Sequence, residues 1–329
     1  MLKNKTILIT GGTGSFGKNF AKFLLKNHEL KKLIIFSRDE FKQYEMQKEI
    51  SDPRIRFFIG DVRDLPRLQR AFNGVDVVVH AAALKQVPTI EYNPFEAVKT
   101  NIIGSQNVIE AAIDQKVSKT LLISSDKAVQ PINLYGATKL AAEKLFAAAN
   151  SYTTLGATRS IFSSVRYGNV MGSRGSIVEA LLKNKKSKSV SLTHPDMTRF
   201  WLTLPESFNL VLFALEHMGG GEIVVPKIAS MKISDLLDAL MPHAKKIVTG
   251  IRPGEKIHET LMTEYEARNT VKVANYFVIL PEFAPKAEFF EHYYRLGKKL
   301  DNPAAFDSNT NNIWLTKKDL KSKIKPILL

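Results

Sequence analysis

The chain of 329 residues contains no cysteine. That excludes disulfides, thiolate catalysis and Cys-ligated zinc or iron–sulfur sites. No apolar run approaches the about 18 residues that a membrane-spanning helix requires, so no span is expected. The N-terminus enters a strand pattern at once, without the layout of a cleavable signal, and a cytoplasmic protein is expected. Acidic residues are in short supply: 47 Lys and Arg stand against 32 Asp and Glu, a net charge of +15. The excess gathers in two runs, Lys183, Lys185, Lys186 and Lys188, and Lys317, Lys318, Lys321, Lys323 and Lys325. Neither run is interleaved with aromatics and no nucleic-acid motif accompanies them, so both read as solvated surface and no nucleic-acid partner is expected; a membrane or partner contact is the alternative for the tail.

The composition, 44% hydrophobic and 24% charged, is that of a globular protein of one large or two ordinary domains. Apolar strand patterns occur at Thr6–Thr10, Leu33–Ser37, Arg56–Ile59, Val75–His80, Thr120–Ser124 and Ser160–Tyr167. Helix patterns cover Phe16–Leu25, Glu40–Ile50, Glu96–Gln115 and Tyr135–Ala149. The alternation predicts an α/β fold, a Rossmann-type doubly wound parallel sheet with helices on both faces. After Gly168 the rhythm breaks. A dinucleotide-binding domain is expected over 1–168, with about 200–225 returning to it. A smaller, interleaved substrate-binding domain is expected over 169–199 and 226–329.

Gly11, Gly14 and Gly17 follow the first strand and open a helix in Thr10-Gly11-Gly12-Thr13-Gly14-Ser15-Phe16-Gly17. The spacing is GxxGxxG rather than GxGxxG. Glycines still permit a tight turn, and the helix N-terminus offers N–H groups to a pyrophosphate. Cofactor contacts are therefore expected from Thr13, Ser15 and Phe16 as well as the glycines. The second strand ends in Ser37-Arg38-Asp39, with Lys42 beyond. An acidic residue there would hold the ribose hydroxyls of NAD. A hydroxyl and a guanidinium suit a 2′-phosphate, so NADP is the expected cofactor. Asp61 and Val62 would lie beside the adenine, and Ala81 and Ala82 would floor the nicotinamide ribose. His80 and His258 lack partners at ligand spacing, so no metal is expected.

Tyr135 and Lys139 form YxxxK, one helical turn apart on one face. A nearby ammonium would lower the phenol from its ordinary value of about 10 and let it act as a base. Ser124 precedes them at the end of the fifth strand. Asp126 and Lys127 follow on the same loop, and a carboxyl that protonates a leaving hydroxyl beside an amine that removes a proton alpha to a carbonyl makes an elimination.

The stretches Ser124-Ser125-Asp126-Lys127-Ala128, Asn133–Lys139, Arg166–Ser176, Gly250–Lys256, His80–Lys85 and Met197–Trp201 occur in order along nearly the whole chain. Together they resemble the inverting UDP-N-acetylglucosamine 4,6-dehydratases (PseB type) of the extended short-chain dehydrogenase/reductase superfamily. Ser125 replaces the family's usual Thr and keeps its hydroxyl; Gln86 replaces a usual His. Membrane-anchored relatives that retain configuration at C5 carry Met where this chain has Tyr135. The resemblance implies UDP-N-acetylglucosamine as substrate and transient hydride transfer from C4 to NADP. It implies Tyr135 and Lys139 for that step, Lys127 as base at C5 and Asp126 as acid at the C6 hydroxyl. The implied product is UDP-2-acetamido-2,6-dideoxy-β-L-arabino-hex-4-ulose, an early intermediate toward pseudaminic acid or a related surface sugar. The base role requires Lys127 neutral, and burial beside Lys85 or Lys139 is expected to lower it from about 10.4. Substrate contacts are expected from Lys85, Ser124, Ser125, Asn169, Val170, Gly172, Ser173, Arg174, Thr198, Arg199, Arg252 and Asn311, with Lys85 also near the nicotinamide. A homo-oligomer, dimer or hexamer, is implied. A UDP-sugar 4-epimerase and a non-catalytic NADP-sensing regulator are the competing readings.

Overall fold

The protein is described by a computed structural model covering residues 1–153, 159–282 and 287–325. Six short apolar segments lie side by side as parallel strands: β1 (Thr6–Thr10), β2 (Lys32–Ser37), β3 (Ile55–Ile59), β4 (Val77–His80), β5 (Lys119–Ile123) and β6 (Ile161–Val165). β1 is buried throughout and Ile7, Leu8 and Ile9 are fully enclosed. A strand covered on both faces must read as a continuous apolar run. The strands run in the order β3-β2-β1-β4-β5-β6, the doubly wound arrangement predicted. Their boundaries agree with the sequence reading to within one or two residues.

The helices α1 (Ser15–Asn27), α2 (Glu40–Glu49) and α3 (Leu65–Phe72) follow β1, β2 and β3 in turn. The sequence reading assigns no helix at α3. It is short, but Asp64 caps it by accepting from the Arg67 N–H, and Leu68, Ala71 and Phe72 are buried. After β4 come α4 (Val87–Tyr92) and α5 (Pro94–Ala97), a π-helical turn over Val98–Ile103 and α6 (Gly104–Asp114). The helix expected over Glu96–Gln115 is thus interrupted by the wider turn. That turn carries Asn101 into the interior, where its amide donates to the Leu84 carbonyl at 2.9 Å and the Thr138 hydroxyl at 3.0 Å. Its carbonyl accepts from the Leu84 N–H at 2.8 Å. One buried side chain thereby ties the loop after β4 to α7 (Leu134–Ala149).

Beyond β6 the chain forms β7 (Asn169–Val170), α8 (Ile177–Lys183), β8 (Ser189–Leu192), β9 (Thr198–Leu202) and α9 (Leu204–His217). β10 (Ile223–Pro226) returns to the main sheet, parallel to β6. Next come β11 (Ala229–Lys232), α10 (Ile233–Leu240), β12 (Lys245–Val248), β13 (Thr260–Met262) and α11 (Glu264–Ala267). The hairpin β14 (Thr270–Val273) and β15 (Tyr276–Ile279) joins the sheet beyond β10 in antiparallel sense. After α12 (Ala287–Leu296), β16 (Lys298–Lys299) pairs with β14 and completes ten strands. β17 (Phe306–Asp307) pairs with β13, and α13 (Lys317–Ile324) ends the described chain. The smaller C-terminal part has its own apolar cluster, with Met171, Trp201, Met231, Leu236 and Leu237 at its centre.

The lysines at 183–188 are exposed, and so are Lys317, Lys318, Lys321 and Lys325 of the C-terminal run, with Lys323 half-buried. The first four residues of that run lie on α13, whose Leu320 and Ile324 are buried in the smaller cluster. Lys317 pairs with Asp238 at 3.2 Å and Lys323 with Glu206 at 2.6 Å. No helix among the described residues is long and apolar enough to cross a membrane.

A buried ion pair ties the smaller part to the sheet. Arg166, just past β6, places its guanidinium 2.7 Å from Glu143 of α7 and 2.9 Å from Glu266 of α11, and donates to the Leu261 carbonyl at 3.0 Å. Burial opposes the Arg166 charge, but Glu143 and Glu266 outweigh it and hold the guanidinium above its ordinary range. Removing one partner leaves the others charged and enclosed. Arg166→Met is therefore expected to cost about 3–5 kcal/mol in urea unfolding; a loss below about 1 kcal/mol would contradict the role given to this pair.

Candidate active site

The sheet brings the ends of β1, β2, β4 and β5 to one edge, where a parallel α/β sheet binds its ligands. The cavity there holds about 620 Å³. Its floor is the turn between β1 and α1. Gly11 has φ +63°, and a Cβ there would come within 2.8 Å of the Ala82 backbone, so only glycine lets the turn lie against the loop after β4. Gly14 stands at the N-cap of α1 without a side-chain cap. The first-turn N–H groups of a helix have no intrahelical acceptors and carry the positive end of its dipole. Thr13, Gly14, Ser15, Phe16 and Gly17 all line the cavity. An open N-terminus over a glycine floor fits the pyrophosphate of a dinucleotide.

Ser37, Arg38, Asp39, Lys42 and Val62 line the same cavity at the β2 end. They have partners within the protein. The Ser37 hydroxyl accepts from Gln43 at 3.0 Å. The Asp39 carboxylate caps α2, accepting from the Lys42 N–H at 2.9 Å, and pairs with the Lys42 amine. Arg38 faces Asp61 at 3.6 Å, and Arg63 holds the same carboxylate at 2.7 Å. Burial would raise the Asp61 carboxyl, but Arg63 and Arg38 outweigh it and hold it below its ordinary value.

Ala81, Ala82 and Lys85 line the cavity from the loop after β4. Behind them His80 is fully enclosed, with Nδ1 2.7 Å from the Thr10 hydroxyl and Nε2 3.2 Å from that of Ser105. Burial and the Lys139 ammonium push its imidazole down to about 3, so it is a neutral interior group. Burial and the neighbouring Arg174 guanidinium lower the Lys85 amine, which donates to the Arg174 carbonyl at 3.4 Å.

The catalytic candidates come from the β5 end and from α7. Asn133 caps α7 by accepting from the Gly136 N–H at 2.8 Å. A Cβ at Gly136 would lie 2.2 Å from the Lys127 carbonyl oxygen, so glycine is what allows α7 to pack on the Asp126–Ala128 turn. Tyr135, Lys139, Ser124, Ser125, Asp126 and Lys127 thereby line one cavity. Lys139 does not serve Tyr135 as expected: its ammonium donates to the Ile123 carbonyl at 2.6 Å. Burial lowers it to about 8, against the supporting charge of Glu143. The Tyr135 phenol is raised, not lowered. Burial outweighs the Lys127 ammonium and the Ser125 hydrogen bond, which favour the phenolate. The Ser124 hydroxyl is buried without a hydrogen-bond partner among the described residues, which fits a ligand oxygen.

Asp126 is fully buried. Its Oδ1 accepts from the Ser125 hydroxyl at 2.8 Å and from the Lys127 ammonium at 3.0 Å, while Oδ2 has no partner among the described residues. The expectation that Lys127 is pushed toward neutrality is corrected here. Burial does oppose its charge, but Asp126 and Glu259 outweigh burial and Arg199, and the ammonium stands above its ordinary value. Glu259 was not singled out in the sequence. It is buried just before β13, 3.2 Å from the Lys127 ammonium and 3.6 Å from Arg199 Nε.

The expected substrate residues separate into groups. Asn169, Val170, Ser173 and Arg174 line the main cavity. Arg252, Arg199 and Asn169 line an adjoining one of about 270 Å³, which Lys127 and Glu259 also reach. Arg199 is largely committed, donating to the carbonyls of Thr198, Ile257 and Lys256 at 2.7, 3.0 and 2.8 Å. Thr198, Asn311, Gly172 and Asp61 line neither cavity. Thr198 bonds to His258 and Ser308, Asn311 clasps Ile228 and Ser230, and Gly172 sits in a turn at φ +72°.

Comparison with known proteins places this geometry. Residues 7–281 match the family described as polysaccharide biosynthesis protein. A UDP-N-acetylglucosamine 4,6-dehydratase (inverting) of Campylobacter jejuni subsp. jejuni is 47% identical, with 97% of each chain covered. A UDP-glucose 4-epimerase of Rickettsia akari is 43% identical over 85% of this chain and 84% of its own. The solved structure of Pen from Bacillus thuringiensis superposes with TM-score 0.88 at 37% identity over 98% of both chains. DesIV, a dTDP-glucose 4,6-dehydratase from Streptomyces venezuelae, shares the fold at TM-score 0.69 and 20% identity, over 88% of this chain and 96% of its own.

Against the expectation of NADP, the DesIV structure and others of this fold, at 17–22% identity, hold NAD. At the β2 end Arg38 is not alone as the sequence suggests: it faces Asp61 at 3.6 Å, while Asp39 is engaged by the Lys42 N–H and amine.

Lys139 offers a direct check on this electrostatic picture. Its ammonium should lose its proton near pH 8, and Glu143→Gln, which removes the supporting carboxylate, should lower that midpoint further. Competitive labelling of Lys139 against pH, read by mass spectrometry, measures both. A midpoint unchanged or raised in the variant would contradict the assignment.

Proposed function

The chain belongs to the polysaccharide biosynthesis protein family, within the extended short-chain dehydrogenase/reductase superfamily, and from that premise we propose that it is an inverting UDP-N-acetylglucosamine 4,6-dehydratase. It is an NAD-dependent lyase that removes water across C5 and C6 of the sugar without net oxidation. The observation that carries the reading is the pair of a buried Asp126 and a half-buried Lys127, 3.0 Å apart in the cavity that also holds Tyr135.

When bound, the nicotinamide takes a hydride from the sugar and gives one back. The protein residues do the rest. The α1 N-terminus and glycine turn hold the pyrophosphate, and Ser124 offers its unpartnered hydroxyl to a sugar oxygen. Tyr135 accepts the C4 hydroxyl proton as its phenolate. Burial raises the phenol, so its own proton must first pass to solvent, with the Lys127 ammonium and the Ser125 hydrogen bond favouring the charge that is left. Oxidation at C4 acidifies the C5 proton.

The elimination needs one acid and one base, and Asp126 and Lys127 hold one mobile proton between them. Its movement from Lys127 Nζ to the Asp126 carboxylate along their 3.0 Å hydrogen bond creates a neutral amine and a carboxylic acid together. The amine removes the C5 proton. The acid protonates the departing C6 hydroxyl, which leaves as water. The two groups then stand again as ammonium and carboxylate. The proton delivered to the opposite face of C5, which sets the inverted configuration, is balanced by the one that Tyr135 took from the C4 hydroxyl, so the proton count closes. Arg174, Arg252 and Lys85 carry the positive charge that a UDP diphosphate requires. This reading keeps the cytoplasmic homo-oligomer that the family resemblance implies.

The 43% identity to a Rickettsia akari protein named UDP-glucose 4-epimerase supports a second reading. An epimerase has no use for an acid and base at C5 and C6. Proton NMR of the reaction with UDP-N-acetylglucosamine distinguishes the two. The expected product is a 4-keto, 6-deoxy sugar with a C6 methyl signal, formed without stoichiometric cofactor. UDP-N-acetylgalactosamine as the only product would end the dehydratase reading. Lys127→Ala should abolish C5 proton exchange with deuterated water while NAD still binds. Full exchange in that variant would remove Lys127 as the base.

A further inference from the structure

Lys127 is held from two sides, and the second side belongs to no element in the sequence motif. Asp126 grips it from the β5 loop. Glu259 grips it from the segment leading into β13, in the smaller C-terminal part, 3.2 Å from Nζ. The same Glu259 oxygen, Oε1, lies 3.6 Å from Arg199 Nε on β9. The other, Oε2, is buried without a hydrogen-bond partner among the described residues. The Glu259 N–H donates to the Ser308 hydroxyl at 2.9 Å, and Ser308 is also bonded to Thr198, the neighbour of Arg199. Glu259 is therefore seated by its own backbone, and its carboxylate spans two cations from different elements.

A buried carboxylate at this position costs free energy unless it is compensated. A purely structural pairing would need Arg199 alone. Instead the shared oxygen lies nearer to the lysine than to the arginine, and Glu259 lines the smaller cavity, which Lys127 shares with the main one.

We propose that Glu259 is a positioning residue for the dehydration: it shares one carboxylate oxygen between Lys127 and Arg199, holds the Lys127 amine against Asp126, and keeps it protonated until substrate arrives. This rests on the dehydratase reading and deepens it, by naming what sets the charge of the C5 base. Lys127 is faced by Asp126 and Tyr135 from the Rossmann part and by Glu259, Arg199 and Lys256 from the smaller part. Asp126 and Glu259 favour its charge, and Arg199 and burial oppose it. Neutralising Glu259 leaves Arg199 unopposed beside the lysine, so the proton affinity of Lys127 must fall.

The test measures Lys127 itself. Competitive labelling of the full chain with acetic anhydride across pH, read by mass spectrometry, gives the ionisation midpoint without any substrate. In Glu259→Gln the midpoint should drop by at least one pH unit relative to the parent. Glu259→Asp, which keeps the charge, should recover at least half of that shift. A midpoint unmoved in Glu259→Gln would overturn the proposal, because a merely structural glutamate would leave it there. Should Glu259→Gln fail to fold, Asp126→Asn decides. With Glu259 still in place, Lys127 should titrate no lower than an ordinary lysine, and a midpoint several units below would show that Asp126 alone held the charge. C5 exchange in deuterated water with UDP-N-acetylglucosamine supplies the second readout, its pH profile moving downward in Glu259→Gln in step with the labelling midpoint. Exchange absent from the parent chain while the labelling shift persists would remove the dehydratase reading and leave Glu259 as the group that sets the charge of Lys127.

Discussion

A fully buried carboxylate has to be compensated by its neighbours, and around Asp126 that requirement organises the site. The Ser125 hydroxyl and the Lys127 ammonium both serve Oδ1. Lys127 in turn needs Glu259, and Glu259 is held by Arg199. The chain of opposite charges runs from the end of a Rossmann strand into the smaller C-terminal part. It works only because the two parts are locked together. Arg166 supplies that lock directly after β6, between Glu143 on α7 and Glu266 across the boundary. Glu143 also supports the charge of Lys139, so the structural pair and the cofactor-side lysine share one electrostatic neighbourhood.

For the proposed elimination, one proton held between a carboxylate and an amine would suffice for both transfers, since what would leave from Asp126 with water is matched by what Lys127 would take from C5. The Tyr135 phenol and the Lys127 ammonium both stand above their ordinary values, so in the proposed reaction each must give up its proton, Tyr135 to solvent and Lys127 to Asp126, before it can act as a base.

Much of this was legible in the sequence where a residue's role follows from its neighbours along the chain. Buried parallel strands announce themselves as apolar runs, and the glycines after β1 mark a turn that no larger residue can make. Asp126 and Lys127 are adjacent, so their pairing is visible in one dimension; Tyr135 and Lys139 are a helical turn apart, but Lys139 turns to the Ile123 carbonyl instead. What escaped depends on distance along the chain. Glu259 lies far from Lys127 in sequence and reads as one more charge beside His258. The π-helical turn over Val98–Ile103 has no local sequence signature, yet it delivers Asn101 to Leu84 and Thr138. The cofactor expectation depends on distance in the same way: along the chain Arg38 reads as a free guanidinium, whereas Asp61 from another strand end stands 3.6 Å from it. So does the direction at Lys127, because burial is visible from the pattern and the second carboxylate is not.

The central claim is that Asp126 delivers the proton with which the C6 oxygen departs. The most direct measurement is rapid chemical quench of Asp126→Asn with UDP-N-acetylglucosamine, with the sugar nucleotides resolved by mass spectrometry. The account predicts a 4-keto sugar that still carries its C6 oxygen, formed up to the amount of bound cofactor, with no 6-deoxy product. A 6-deoxy sugar released at the rate of the parent enzyme would contradict it.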